Sequence, residues 1–309
     1  MLSPLGALYA LGWWGYQSVY SFGLKKPFEP HCPVVTVGNL IAGGTGKTPM
    51  TLFVATVLQE AGRGVVVSAS GYGFPRSASA SLAPDGELKA SEWGDEAAMI
   101  RMFRPELPLI VGRDRVEAAR IAHQHFPDSV LLMDDGFQHL RLRQHVTLLL
   151  APETPNSFCL PAGPYREPRS TGLRRADLVL PGSEFKVVRS RTIGAPSEGL
   201  GPDKKVNVLC ALGRPHQFLD SLRSDGYRLG TVRCLPDHDP LTAGTLLNGF
   251  DLETPLLVTA KDWVKLRDRG DLEGRTVLMA KYDVSVEPRE GFTDWLRLKL
   301  DGLAGQTTA

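Results

Sequence analysis

One stretch of the sequence, VTVGNLIAGGTGKTPM over Val35–Met50, restricts the possible folds more than any other. It overlaps a run of β-branched residues, Val34–Val37, that is typical of a buried strand. Three closely spaced glycines come next, then Lys47 and Thr48, and then a helical pattern to about Ala61. Strand, glycine-rich loop, Lys-Thr and helix is the layout of a phosphate-binding P-loop.

Such a loop supplies what a triphosphate needs. Its backbone N–H groups can cradle phosphate oxygens at the positive end of the helix. Lys47 would add a charge on the β and γ phosphates of ATP, and the Thr48 hydroxyl would be a ligand of Mg²⁺. The residues predicted to contact the nucleotide are Ile41, Ala42, Gly43, Gly44, Thr45, Gly46, Lys47 and Thr48.

The match to the standard P-loop pattern is incomplete. The pattern is G-x-x-x-x-G-K-[ST], and its first glycine position is Ile41 in this chain. The double glycine and the GKT that follows it compensate for this difference. The alternative is a glycine-rich turn that only begins a helix.

A second pattern suggests a metal ion. The apolar run Val130–Met133 predicts a strand covered on both faces, and it ends in Asp134 and Asp135. In P-loop proteins a carboxylate at the end of such a strand holds Mg²⁺ directly or through water. Two adjacent carboxylates are costly unless a cation lies near them, although DDG could also be a plain turn.

Two further acidic residues, Asp95 and Glu96, follow Gly94 at the start of a predicted helix. Acidic residues in a first turn are ordinary partners of the helix dipole. If another element brings this helix start beside the γ-phosphate, however, Asp95 could accept a hydroxyl proton. Candidates for a nearby role are Tyr72 in SGYG and His238 in PDHDP, although a surface tyrosine and a structural histidine are the alternatives.

Arginines are concentrated in the segment CLPAGPYREPRSTGLRRADLVLP. Such a cluster is usually a solvated face. In a phosphotransferase, arginines that follow a strand can clamp phosphate, and near a membrane they can meet acidic lipid headgroups. The clustered side chains are Arg166, Arg169, Arg174 and Arg175.

The first 24 residues contain no charged side chain, and Lys25 and Lys26 follow at once. As one helix they would be about 36 Å long, but Pro4, glycines and tyrosines dilute their hydrophobicity. Trp and Tyr favour the headgroup level. We therefore expect a helix that docks at a membrane interface, ahead of one packed on its own domain and of a true span.

The order of predicted elements indicates an α/β fold. A mostly parallel sheet of the P-loop NTPase type, with helices on both faces, precedes a polar, irregular linker over residues 182–205 and a smaller α/β unit. The expected domains are residues 1–26 for membrane docking, 27–204 for the P-loop unit and 205–309 for the unit that completes an active-site cleft.

The composition argues against two other classes of protein. A net charge of +1 gives no strong electrostatic field that would attract nucleic acid. The four cysteines are scattered along the chain, which predicts reduced thiols and no zinc site.

The motifs, taken together, resemble the tetraacyldisaccharide 4'-kinases, the lipid A 4'-kinases of Gram-negative bacteria. The similarity runs through nearly the whole chain and keeps the family's order. The matching stretches are VGNLIAGGTGKTP, SGYG, GDE, GRDR, DDGFQHLRL, PAGPYREP, ADLVL, ALGRPHQF, LPDHDP and TAKDWVKL.

This resemblance implies a kinase that transfers the γ-phosphate of ATP to the 4'-hydroxyl of a tetraacylated glucosamine disaccharide 1-phosphate, forming lipid IVA. It implies a location on the cytoplasmic face of the bacterial inner membrane, peripheral or held by one N-terminal anchor. By position, Asp95 would be the base, assisted by His238, and Lys47 would act on the phosphates. The metal would be arranged by Thr48, Glu96, Asp134 and Asp135. Phosphate or substrate contacts would come from Tyr72, Arg115, Gln138, His139 and Arg166.

Some positions depart from the family pattern. Ser70 replaces an arginine, Ala260 replaces a glutamate, and Ala97 and Asp239 also differ. A catalytically weakened family member that binds nucleotide is therefore one alternative. Another is a membrane-associated P-loop ATPase, although Ala42 stands where those proteins carry a lysine ahead of the glycine pair.

Overall fold

The protein is described from a computed structural model, which covers residues 3–72, 77–152, 154, 156–194 and 205–304. Two sheets follow an N-terminal helix, α1 (Ser3–Ser21). Most neighbouring strands in both sheets run parallel, and the sequence-based expectation of a mostly parallel α/β fold is confirmed.

The first sheet has the strand order β3-β4-β2-β5-β1-β6-β7, and only β3 runs antiparallel to its neighbour. Its central strands are buried along nearly their whole length, as expected of parallel strands covered by helices on both faces. Its strands are β1 (Val34–Asn39), β2 (Gly64–Ala69), β3 (Ala80–Leu82), β4 (Leu109–Gly112), β5 (Ser129–Asp134), β6 (Val146–Leu150) and β7 (Leu178–Leu180).

Because these strands are parallel, their carboxyl ends meet at one edge of the sheet. The glycine-rich loop leaves β1 at this edge, and Asp135 follows β5, which pairs directly with β1. The helices that connect the strands are α2 (Lys47–Glu60), α3 (Ala90–Trp93), α4 (Asp95–Phe103), α5 (Arg115–His125) and α6 (Arg169–Arg175).

The second sheet has the order β10-β9-β11-β12-β8, with β8 antiparallel to β12. A short 3-10 turn, Gly270–Leu272, precedes β12. The strands and helices of this unit are β8 (Lys186–Gly194), β9 (Lys205–Ala211), α7 (Pro215–Ser224), β10 (Arg228–Leu235), β11 (Leu256–Thr259), α8 (Ala260–Leu266), β12 (Val277–Glu287) and α9 (Arg289–Ala304).

The expected linker over residues 182–205 was wrong in its described part, because Lys186–Gly194 forms the edge strand β8. Residues 195–204 of that prediction lie outside the described residues. The side chains of β8 are mostly exposed or half-buried, so its sequence lacks the apolar run that marks a central strand. Residue 73, the last of the SGYG motif, and residues 74–76 after it also lie outside the described residues.

One apolar core joins the two units. Phe292 on α9 is fully buried, and its ring centroid lies 5.7 Å from that of Phe53 on α2. Val264 and Val286 of the second unit belong to the same cluster of buried side chains. The helix that follows the glycine-rich loop therefore packs against the second unit directly.

The N-terminal helix α1 is attached to the first unit by polar contacts. The buried carboxylate of Glu167 accepts hydrogen bonds from Trp13 Nε1 at 3.2 Å and Gln17 Nε2 at 3.0 Å. It also pairs with Arg175 at 2.7 Å. Tyr9 adds a hydrogen bond from its hydroxyl to the Arg166 carbonyl.

Other side chains of α1 remain uncovered. Leu8 is 67% exposed and Leu11 is 61% exposed, and Trp14 is also exposed, as are Phe22 and Leu24 just after the end of the helix. Within the described residues, no helix combines the length and apolar character needed to cross a membrane.

Candidate active site

The glycine-rich loop takes a shape that depends on its glycines. Gly43 has φ +103° and Gly46 has φ +84°, both in the region that residues with a Cβ rarely occupy. Gly46 directly precedes α2, so the loop's N–H groups lie at the positive end of that helix. Asn39 braces the loop from below by donating to the Thr45 hydroxyl at 2.7 Å.

Ile41, where the standard pattern has glycine, is buried and forms a β-bridge with Tyr165. On either side of it, the Ala42 N–H donates to the Pro164 carbonyl at 2.8 Å and the Arg166 N–H donates to the Leu40 carbonyl at 2.7 Å. An isoleucine suits this position because its side chain packs into the core while its backbone pairs with the segment 164–166.

Two carboxylates lie beside the start of α2. Asp134 is buried and accepts hydrogen bonds from Thr48 at 2.8 Å and Thr51 at 3.0 Å. Asp135, with φ +55°, lies 3.6 Å from the Lys47 ammonium and accepts two hydrogen bonds from Arg166 at 2.9 and 3.0 Å. The Lys47 and Asp135 side chains thus form an ion pair beside the glycine-rich loop.

The two carboxyl groups differ in their electrostatics. Burial, together with the nearby charge of Glu96, raises the pKa of Asp134 to about 7. Burial acts on Asp135 in the same direction, but the charges of Lys47 and Arg166 outweigh it and hold the pKa of Asp135 below its ordinary value. Asp135 is therefore neutralised by its ion pairs with cations, whereas Asp134 has no ion pair within 4 Å among the described residues.

The oxygen donors at this position fit Mg²⁺. Thr48 and the two aspartates supply hard oxygen ligands, and a divalent cation would relieve the repulsion between Glu96 and Asp134. No group of three or more His, Cys, Asp or Glu side chains forms a ready-made metal site in the part of the chain described. Mg²⁺ usually keeps several waters and takes phosphate oxygens as ligands, so such a cage is not required.

Asp95 lies at the first position of α4 and is almost fully buried. Its Oδ2 is 3.1 Å from His238 Nδ1 and 3.8 Å from the ammonium groups of both Lys261 and Lys265. Burial acts to raise the pKa of Asp95, but the His238 hydrogen bond and the two lysine charges outweigh it, so the pKa is lowered. Asp95 is consequently ionised at neutral pH.

His238 reaches Asp95 from the second unit. It has φ +62° in the turn after β10, and its Nε2 lies 3.2 Å from the Lys261 ammonium. The ring of Tyr72 packs against it with 4.5 Å between ring centroids. Tyr72 of the SGYG motif and His238 of the PDH turn, far apart in sequence, thus meet beside Asp95.

The other residues expected to contact phosphate or substrate lie in three separate surroundings. Arg115 is buried and donates to the Ser68 hydroxyl and to the Asp134 carbonyl, so it joins the ends of β2 and β5 from below. Gln138 donates to the Asn39 carbonyl and to Glu167. Arg166 is held by Asp135, beside the glycine-rich loop.

Comparison with known proteins identifies the family. The model of the family LpxK, tetraacyldisaccharide-1-P 4'-kinase, matches residues 1–301. The chain belongs to the tetraacyldisaccharide 4'-kinase family.

Individual relatives agree with this assignment. The chain is 31% identical over 282 residues to the tetraacyldisaccharide 4'-kinase of Shewanella piezotolerans, covering 86% of this chain and 84% of the relative. It is 33% identical over 306 residues to that of a Janthinobacterium species, covering 90% and 85%. A crystal structure of LpxK from Aquifex aeolicus in complex with ATP superposes with a TM-score of 0.79 at 25% identity, covering 97% of this chain and 98% of that one.

Sequence reasoning missed two lysines beside Asp95. Lys261 and Lys265 lie one turn apart on α8, which begins where β11 ends, and both point at Asp95. Lys265 also pairs with Asp262 at 3.2 Å and donates to the Asp239 carbonyl. The signal was present in the sequence TAKDWVKL, because residues four apart on a helix share a face.

His139 provides a pH-dependence to test in this kinase. Burial and the charge of Arg115 lower the pKa of His139 to about 4. The folded-state pKa of His139 lies below the ordinary value of about 6.5. The neutral His139 side chain therefore makes its full contribution to stability above pH 6.5, and this contribution is lost as the pH falls towards 4. Between pH 6.5 and 4, the unfolding free energy of the His139→Gln variant should therefore fall less steeply than that of the wild type. Urea denaturation at several pH values measures it.

The control is His216→Gln, which changes a histidine on the surface helix α7. An imidazole of His139 that becomes protonated near pH 6.5, as followed by NMR of its ring protons, would contradict this assignment.

Proposed function

We propose that this chain transfers the γ-phosphate of ATP to the 4'-hydroxyl of a tetraacyldisaccharide 1-phosphate and forms lipid IVA. The observation that carries the proposal is the meeting of Asp95 and His238 at the same sheet edge as the glycine-rich loop. Phosphoryl transfer needs charge neutralisation, alignment and a base on the acceptor hydroxyl, and these residues supply each of them.

The donor side is formed by the loop of residues 41–48. Its N–H groups and Lys47 hold the phosphates of ATP, and Arg166 lies next to them. Thr48, Asp134, Asp135 and Glu96 would hold Mg²⁺, which supplies charge neutralisation on the phosphates when it is bound. The Lys47 ammonium lies 3.6 Å from the Asp135 carboxylate. At this distance the ammonium can turn to a phosphate oxygen and still keep most of its contact with Asp135.

The acceptor side is formed around Asp95. Its Oδ2 is engaged by His238, whereas its Oδ1 is buried and has no hydrogen-bond partner among the described residues. An unpaired, ionised oxygen in a buried position is an efficient acceptor for a substrate hydroxyl. Asp95 therefore orients the 4'-hydroxyl and receives its proton as the new O–P bond forms.

Lys261 acts as a positioning residue for His238. An ammonium group can only donate hydrogen bonds, so His238 Nε2 must accept from Lys261 and the ring proton resides on Nδ1. That proton then points at Asp95 Oδ2. Lys261 is itself fixed by Asp237, 3.1 Å away.

The site depends on both α/β units, here taken as residues 27–204 and 205–309. The base comes from the first unit, while His238 and Lys261 come from the second. Strand β8, although it precedes residue 205, pairs with the second sheet and would move with that unit. A site assembled from two units can exclude water and limit the hydrolysis of ATP.

The exposed face of α1 supports docking on the inner-membrane surface, on the cytoplasmic side, where the acylated substrate resides. Its apolar side chains are uncovered while its polar contacts to Glu167 hold it against the first unit. A rigidly attached apolar helix presents the active site to a substrate that remains in the bilayer.

The base assignment predicts the effect of Asp95→Asn. The amide retains the shape of the side chain but loses most of its basicity, so kinase activity should fall about 10²–10⁴-fold with Mg–ATP binding retained. Activity is measured with purified protein, ATP, Mg²⁺ and the disaccharide lipid.

Glu92→Gln, on the exposed face of α3, is the matched control. Activity of Asp95→Asn within a few-fold of wild type would refute the base assignment alone. Failure of the wild type to phosphorylate the lipid, under conditions where it binds nucleotide, would refute the kinase function.

The positioning role predicts that Lys261→Met lowers kcat about tenfold, the effect of losing one charge-assisted hydrogen bond, with little change in the KM for ATP. The ¹⁵N shifts of the His238 ring should also report a changed tautomer equilibrium. Lys89→Met, at an exposed lysine, is the control. Equal kcat values in the two variants would remove Lys261 from the mechanism.

Membrane docking predicts that the double variant Leu8→Glu and Leu11→Glu binds phospholipid vesicles at least about tenfold more weakly, because two apolar side chains no longer enter the bilayer. Co-sedimentation with vesicles measures this binding. Leu298→Glu, at an equally exposed leucine of α9, is the control. Wild-type binding by the double variant would show that another surface docks the protein.

A further inference from the structure

An open cleft of about 620 Å³ separates the second half of α1 from the first unit. Trp14 and Tyr20 line it from the helix, and Phe137 and Leu140 line it from the segment that follows β5. Its volume falls within the range of about 300–1,000 Å³ that is usual for small-molecule sites. None of these residues has a role in the phosphoryl transfer described above.

The cleft carries positive charge. Arg143, Arg174 and Arg175 line it, whereas no acidic residue does. Arg175 is neutralised by its pair with Glu167. Arg143 and Arg174 are exposed, and no carboxylate of the described residues lies within 4 Å of either guanidinium. Two unneutralised guanidinium groups on an aromatic wall suit an anion with apolar chains.

The cleft lies beside the face of α1 that is proposed to dock on the membrane. Trp14 belongs both to the exposed face of α1 and to the lining of the cleft. Tryptophan and tyrosine favour the headgroup level of a bilayer. If α1 docks as proposed above, the cleft opens at the depth where lipid phosphates lie, so a bilayer lipid can enter it without leaving the membrane.

The cleft is separate from the catalytic edge. Thr147, on its wall, lies near the amino end of β6 and pairs with Thr36, whereas the glycine-rich loop begins beyond the carboxyl end of β1. Three residues of strand, about 10 Å, separate Thr147 from the end of β6. The half-buried Arg175 lines the cleft and pairs with the buried Glu167, which in turn accepts a hydrogen bond from Gln138.

We infer that this cleft binds one anionic glycerophospholipid of the membrane, with its phosphate at Arg143 and Arg174 and the start of its chains against Trp14 and Phe137. The inference rests on the proposed docking of α1. It adds a second lipid contact to the one at the active site and gives the enzyme a preference for anionic bilayers.

The test measures binding of monomeric dihexanoyl-phosphatidylglycerol to the whole protein by calorimetry, without bilayers and without substrate. We expect saturable binding that weakens at least tenfold in the double variant Arg143→Gln and Arg174→Gln. Dihexanoyl-phosphatidylcholine should bind at least fivefold more weakly than the anionic lipid. Glycerol 3-phosphate should not compete, because it lacks the acyl chains.

The control is Arg120→Gln with Arg297→Gln, which removes two exposed arginines elsewhere. A second variant, Ser21→Trp, fills the cleft without changing charge and should also abolish binding. Unchanged binding in the arginine variant, or equal affinity for the two lipids, would overturn the inference. Kinase activity on a detergent-dispersed acceptor should stay at the wild-type level in Ser21→Trp, which separates this result from a failure of the kinase function.

Discussion

A single buried carboxylate, that of Asp95, joins the two halves of the site. Left alone in a buried position it would be protonated or would destabilise the fold, so it needs the cationic and hydrogen-bonding groups that the second unit provides. His238, Lys261 and Lys265 all converge on one of its oxygens. The same contacts that stabilise the packing of the two units leave the other oxygen free for chemistry.

Much of the fold could be predicted because buried parallel strands have a plain apolar signature. The strand before the glycine-rich loop and the strand ending in Asp134 were both confirmed. Strand β8 was missed because its side chains are mostly exposed or half-buried, and helix α6 because its short arginine-rich sequence has no amphipathic pattern. What these elements have in common is that tertiary pairing, and not local sequence, determines them.

The residues of the candidate site also fall into those that local sequence predicts and those that only tertiary contacts determine. Residue types and order indicated the glycine-rich loop, the paired aspartates and Asp95, since each stands at the end of a predictable element. The sequence could not place Lys261 or Glu167. Lys261 acts on Asp95, and Glu167 acts on Trp13 of α1, and each of these partners lies more than a hundred residues away in the chain. Arg115 is buried beneath Asp134 and joins two strands there, and its expected contact with phosphate or substrate stays a prediction.

The pairing of the glycine-rich loop with residues 164–166 has a consequence for how the enzyme matures. Ala42 and Leu40 find their backbone partners only in a segment that is synthesised more than 120 residues later. Domains fold as their chain leaves the ribosome, amino-terminal parts first. The emerging chain therefore carries its glycine-rich loop without this backbone pairing until the Pro-Tyr-Arg segment has appeared. The proposed contacts of the loop with ATP would then form in their mature geometry only after that segment has been made.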